Sequence, residues 1–270
     1  MGSRKLNNQK ILVTGASSGI GHSMATQLVR KGNHVLALAR RENRLAALQS
    51  ELKTASGSLS YLAVDVTSVD DRHLVFDWIV QNWGGELDVL INNAGVGSIG
   101  PFSESDESTL RKVMEVNFFA AVELIRGSLK HLRESKSPVV CNIASVLGHT
   151  AMPTKSEYCA SKFAIHGFSD ALRIELKSEE VDVVLVSPST TRSEFFESVL
   201  SGASQQGKGM SADKVGALAI RAIEKRKREV LLSWGGKCLV WADRILPGVV
   251  SKLLIRWYRR QCRAASGAEG

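Results

Sequence analysis

Lys10-Ile-Leu-Val-Thr14-Gly15-Ala16-Ser17-Ser18-Gly19-Ile20-Gly21 decides how the rest of the chain is read. A short apolar run ends in three glycines spaced Gly-x-x-x-Gly-x-Gly, after which Met24, Leu28 and Val29 share one helical face. This predicts a buried strand, a tight turn and a helix. Glycine permits positive φ and lets main chain approach a ligand closely. A helix start offers unpaired N–H groups and partial positive charge, which suit a pyrophosphate. The spacing differs from the Gly-x-Gly-x-x-Gly of the commoner dinucleotide fingerprint, so the position behind a first strand carries the inference.

Outward from this turn the pattern repeats. Apolar runs at 34–39, 60–64, 89–92, 138–143, 182–186 and 229–233 are separated, up to 177, by amphipathic segments at 41–53, 69–83, 109–132 and 157–177. Strands this apolar need cover on both faces. The expected fold is α/β, a Rossmann-type doubly wound parallel sheet of about seven strands with helices on both faces. Residues 1–235 would form the catalytic domain and 236–270 a basic amphipathic helical appendage.

Composition agrees with a globular enzyme-sized domain: 270 residues, 44% hydrophobic and 23% charged. These values argue against a disordered tail, a collagen-like fibre or a coiled coil. Cys141, Cys159, Cys238 and Cys262 are widely spaced, with no Cys-x-x-Cys pair. No disulfide framework, zinc site or other metal site is expected, and a reducing compartment is the default. The polar start of the chain does not read as a secretory signal, and no uncharged apolar stretch approaches the roughly 20 residues of a membrane span. The expectation is a cytoplasmic protein, with peripheral membrane contact open.

The formal charge of +8 is local. Residues 221–263 hold 12 Lys/Arg and 3 Asp/Glu, whereas the remainder holds 23 and 24. A near-neutral body argues against a nucleic-acid partner. Within 246–263, Leu246, Val249, Val250, Leu253, Leu254 and Trp257 form an apolar set. Lys252, Arg256, Arg259, Arg260 and Arg263 form a basic set, centred about 120° away around a helix. That layout fits an interfacial membrane helix, and equally a stripe packed on the protein's own core or a second subunit.

Chemistry-bearing residues cluster at the strand ends. The second strand finishes in Leu38-Ala39-Arg40-Arg41, with no acid before Glu42. Guanidinium groups suit a ribose 2′-phosphate, so NADP(H) is favoured over NAD(H), with Arg40 the stronger candidate and Arg41 the more solvated. Tyr158 and Lys162 are one helical turn apart, where an ammonium can favour the phenolate. Ser145 follows the fifth strand, and Asn117 sits in a long predicted helix that Asn does not favour.

Together these residues resemble the short-chain dehydrogenase/reductase family over roughly 8–235. The matching signatures are TGASSGIG (14–21), Asp65-Val66, NNAG (92–95), Asn117, Ser145, YCASK (158–162) and Pro188 to Ser193. The resemblance implies an NADP(H)-dependent interconversion of carbonyl and alcohol. Tyr158 would be the acid or base, Lys162 would lower its pKa and bind the nicotinamide ribose, and Ser145 would polarise the substrate oxygen. Asn117 would hold a water in a relay to Lys162. Gly15, Ser17, Ser18, Gly19, Ile20 and Gly21 would cradle the phosphates. Asp65 and Val66 would line the adenine, while Asn92, Ala94 and Gly95 would run along the cofactor. Pro188, Ser189, Thr191 and Ser193 would close over the nicotinamide. Ser189 stands where the family often has glycine, which puts the geometry of that turn in question.

Leu147, Met152, Phe195 and Phe196 suggest an apolar substrate wall, and the polar, glycine-rich 201–210 a lid. The layout also resembles family members that act on lipids or steroids at membranes, which implies an apolar substrate. A 3-oxoacyl thioester reductase, its basic tail docking an acidic carrier, is the alternative enzyme reading. A catalytically silent cofactor-binding scaffold is the alternative of another class. The resemblance also implies a homodimer or homotetramer.

Overall fold

Alternation of side chains along each strand divides the apolar residues between two covered faces. The computed structural model describes residues 3–192 and 209–266. In it, β1 (Lys10–Thr14), β2 (His34–Ala39), β3 (Ser58–Ala63), β4 (Val89–Asn92), β5 (Val139–Ile143) and β6 (Asp182–Ser187) are joined by β9 (Glu229–Leu231). They form one parallel sheet in the order β3-β2-β1-β4-β5-β6-β9. A separate two-strand pair joins β7 (Thr191–Arg192) to β8 (Met210–Ser211).

On one face Ile11, Val13, Val35, Ile91 and Val184 pack against α1 (Gly19–Arg30), α2 (Glu42–Glu51) and α7 (Ala212–Glu224) through Met24, Leu28, Leu48 and Ile220. On the other, Leu12, Leu36, Leu90, Val140 and Val183 meet α3 (Val69–Trp83), α5 (Ala120–Leu132) and α6 (Ser156–Glu175) through Ile79, Leu124 and Leu172. Each fully buried leucine or isoleucine contributes roughly 1.5–3 kcal/mol of transfer free energy. The chain order reverses beside β1, which has β2 on one side and β4 on the other. Ligands of such sheets bind in the crevice at the carboxyl ends of the strands there.

Three elements differ from the sequence reading. The long helix expected at 109–132 is divided into α4 (Glu107–Met114), a π-helical turn at Glu115–Phe119, and α5. Asn117 lies inside that turn, where an extra residue rotates it out of the helical register. α7 was not anticipated; Ser211 caps it by accepting from Lys214 N, and Val215, Ala219, Ile220 and Ile223 bury its inner face. The appendage expected at 236–270 is two helices, α8 (Trp234–Ile245) and α9 (Pro247–Ser266).

Candidate active site

Close backbone packing holds the glycine turn against the Asn92–Gly95 turn. Thr14 Oγ1 accepts from Asn93 N and Ala94 N, both at 2.9 Å, and Asn93 Nδ2 donates to Thr14 O at 2.9 Å. Gly15 has φ +67°, and a Cβ on Gly21 would stand 2.4 Å from Gly15 O. No side chain can be added at Gly21 without breaking the turn. Ser18 occupies the N-cap position of α1, makes no side-chain cap, and no acid follows in the first turn. The helix therefore keeps donors and positive potential for an anion. A close-packed glycine cradle and an uncapped helix start fit the pyrophosphate of a dinucleotide.

Arg41, expected to be the more solvated of the two arginines, is the one tied to this loop. Its Nε and Nη2 donate to Ser17 Oγ at 3.1 and 3.0 Å, and Nη2 also donates to Ser18 Oγ at 2.7 Å. Arg40, like Arg41, is exposed, and its charge helps hold the Asp65 carboxyl below its usual range. Burial, the largest single influence, works against that shift, and the two hydrogen bonds from Thr67 together with the charges of Arg40 and Lys112 outweigh it. Val66 is buried on the second core face.

At the other end of the crevice, Ser145 leaves β5 with an extended backbone, and its Oγ accepts from Leu147 N at 3.1 Å. The Tyr158 hydroxyl is hydrogen-bonded to the Ser145 side chain. Lys162 Nζ donates to Ile143 O at 3.1 Å and stands 5.6 Å from the centre of the Tyr158 ring. Burial pushes the Tyr158 phenol up to about 12, a rise that the Ser145 bond only partly opposes, and brings the Lys162 ammonium down to about 8. The expected lowering of the tyrosine pKa is thus absent from this state. Both groups are desolvated, which disfavours the charged form of each, and the ammonium is turned to a carbonyl.

Ser145, Tyr158 and Lys162 line one cavity of about 340 Å³ together with Gly15, Ser18, Gly19 and Ile20. Gly95, Pro188, Ser189, Thr191 and the anticipated apolar residues Leu147 and Met152 share the lining. Ser189 does not adopt positive φ, so the replacement of glycine is accommodated without strain there. Ser193, Phe195, Phe196 and residues 201–208 lie outside the described residues.

Two asparagines make side-chain contacts that the sequence did not indicate. Asn92 turns into the sheet, where Nδ2 donates to Asn142 Oδ1 at 2.9 Å, and Asn93 lines the cavity instead. Asn117 is buried with its amide fully engaged: Oδ1 accepts from Val96 N at 2.8 Å, and Nδ2 donates to Val96 O at 3.0 Å and Ser161 Oγ at 2.9 Å. Its side chain therefore clamps the loop after β4 to α6, and its hydrogen bonds go to Val96 and Ser161. Gly235, Gly236 and Leu239 of α8 also line the cavity, which the sequence reading did not anticipate. The available signal was the glycine pair: a Cβ on Gly236 would lie 2.7 Å from Val146 Cγ2.

The sequence profile described as short chain dehydrogenase matches residues 9–203. This chain belongs to the short-chain dehydrogenase family. It is an oxidoreductase of that family, and its relatives span most of its length. "Dehydrogenase/reductase SDR family member 7B" of Mus musculus is 29% identical, with 97% of this chain and 84% of the relative covered. "Hydroxysteroid 11-beta-dehydrogenase 1-like protein A" of Xenopus laevis is 29% identical, with 96% and 89% covered. Among solved structures, a short-chain dehydrogenase/reductase from Burkholderia phymatum in complex with NAD superposes with a TM-score of 0.82 at 22% identity. That alignment covers 90% of this short-chain dehydrogenase and 95% of the other chain.

Proposed function

We propose that this short-chain dehydrogenase uses NADP(H) to interconvert a carbonyl and a secondary or primary alcohol on an apolar substrate, with Tyr158 as acid or base. The observation that carries the reading is the convergence of Ser145, Tyr158 and Lys162 on the cavity that also holds the glycine turn. A bound nicotinamide would supply or accept the hydride. The buried phenol of Tyr158 retains its proton at neutral pH and can give it to a developing alkoxide. Ser145 Oγ lies beside that hydroxyl and polarises the carbonyl oxygen, while the cationic Lys162 stabilises charge on the phenol side. Arg41, bridging Ser17 and Ser18, supports selection of a 2′-phosphate. Leu147, Met152 and Leu239 support an apolar substrate, as does the name of the Xenopus relative.

Tyr158→Phe tests the assignment. It should leave NADPH binding, read by cofactor fluorescence, unchanged and lower turnover by roughly 10²–10⁴-fold. Equal turnover would remove Tyr158 from the chemistry. A screen of free lipophilic ketones beside an acyl-carrier thioester separates the two enzyme readings.

The C-terminal helices support contact with a membrane surface. No helix among the described residues is long and apolar enough to cross a membrane. α9 is divided lengthwise: Val250 is buried and Leu254 and Tyr258 half-buried, whereas Val249, Leu253, Ile255 and Trp257 are exposed. Trp234 is 81% and Ile245 68% exposed on the adjoining α8. Exposed tryptophan and aliphatic groups flanked by Lys252, Arg256, Arg259 and Arg260 suit an anionic lipid surface. A homodimer or homotetramer is part of the same reading, supported by exposed Phe119 and Phe163 beside Asn117 and Lys162.

A further inference from the structure

Behind the turn that follows Ser145, three residues far apart in the chain come together. His149 lies one residue beyond that turn, His166 projects from α6, and Glu229 opens β9. One ligating atom from each lies within 4.8 Å of the others. The imidazole centroids are 4.2 Å apart. His149 Nε2 stands 3.0 Å from both Glu229 Oε1 and Ser187 Oγ, and the His149 side chain is only 1% exposed.

The hydrogen bonds assign the atoms. His166 Nδ1 lies 2.8 Å from Gly148 O, which can only accept, so Nδ1 carries the proton. In the neutral form of the ring Nε2 is then the nitrogen with the lone pair, an orientation that metal-ligating histidines take through such a carbonyl. His149 Nδ1 is buried without a hydrogen bond, and Glu229 Oε1 has His149 for its partner. Glu229 Oε1 faces His149 Nε2 across the 3.0 Å contact, which is an ion pair when that nitrogen carries a proton. Asp170 Oδ2 is 3.6 Å from His166 Nε2, but Arg173 and Arg228 engage its other oxygen. Two imidazoles and one carboxylate are a set that suits zinc-class divalent ions.

We propose that His149, His166 and Glu229 form a divalent transition-metal site, zinc being the fitting ion, distinct from the cofactor cavity. Donors around a tetrahedral zinc stand about 3.3 Å apart, so the His149–Glu229 pair is already near that spacing and His166 closes by up to about 1.5 Å. The ion would tie β9, α6 and the segment behind Ser145 into one unit. Cysteine spacing carried no hint of such a site, because its residues meet only across the folded sheet.

The test uses the full chain, stripped with EDTA and dialysed, then titrated calorimetrically with Zn²⁺. One equivalent should bind and raise the thermal midpoint. His166→Gln and Glu229→Gln should each weaken that binding by at least about tenfold. Cys238→Ser and Cys262→Ser should leave it unchanged. Co²⁺ bound to the unsubstituted protein gives a readout independent of variant folding: weak visible bands without a thiolate charge-transfer band. No binding, a thiolate band, or binding indifferent to His166 and Glu229 would overturn the proposal. NADPH binding, measured alongside, distinguishes failure of this site from failure of the oxidoreductase reading.

Discussion

Arg41 and Lys162 show how single side chains acquire their roles from their neighbours. Arg41 is one of two adjacent arginines, and only the folded loop shows that it, rather than Arg40, reaches Ser17 and Ser18. A charge-assisted hydrogen bond contributes roughly 1.5–3 kcal/mol. Arg41→Ala should therefore raise the KM for NADPH by about ten- to a hundredfold while leaving that for NADH little changed, as steady-state kinetics with each cofactor would record. Lys162 carries a stability signature. Burial lowers its folded-state pKa to about 8 from 10.5, so between these values the unfolded chain binds the extra proton. Stability contributed at this residue must then rise as pH climbs through that window and level off above it. Relative to Lys162→Met, which has no such proton, the unsubstituted protein should gain on the order of 3 kcal/mol between pH 8 and 10.5. Urea denaturation of both proteins across that range measures it.

At the scale of elements, the site depends on backbone approaches too close for side chains. α6 carries Tyr158 and Lys162, and it sits directly on the turn after Ser145. A Cβ on Gly148 would stand 2.5 Å from Lys162 O and 3.0 Å from its carbonyl carbon, both main-chain atoms that cannot swing aside. Gly148→Ala should cost roughly 1–3 kcal/mol of unfolding free energy, through the same strain that overpacking produces. It should also lower turnover by separating Ser145 from Tyr158, while the denaturant m value stays constant. The π-helical turn at Glu115–Phe119 belongs to the same scale. Asn117 was legible as an unusual residue for a helix interior, but its partners were not. Val96 and Ser161 come from other segments, and periodicity within one helix says nothing about what lies across from it.

For the whole molecule, the division of α9 sets the decisive experiment. Val250, Leu254 and Tyr258 face inward, so replacing only Val249, Leu253 and Trp257 with serine should preserve the fold and turnover with a soluble substrate. Sedimentation with anionic vesicles should be lost; sedimentation equal to that of the unsubstituted chain would end the membrane reading. The parallel sheet, its two-sided cover and the position of the glycine turn were legible in the sequence. They follow from local periodicity and from the restricted backbone that glycine relieves, both written within a dozen residues. So were Ser145, Tyr158 and Lys162, as residue types at telling positions. Tertiary structure alone decided which arginine meets the loop, that Asn117 is a clamp, and that α8 walls the cavity. It also brought His149, His166 and Glu229 together. Each of these depends on contacts between segments distant in the chain, and on how far burial strips water from the groups involved.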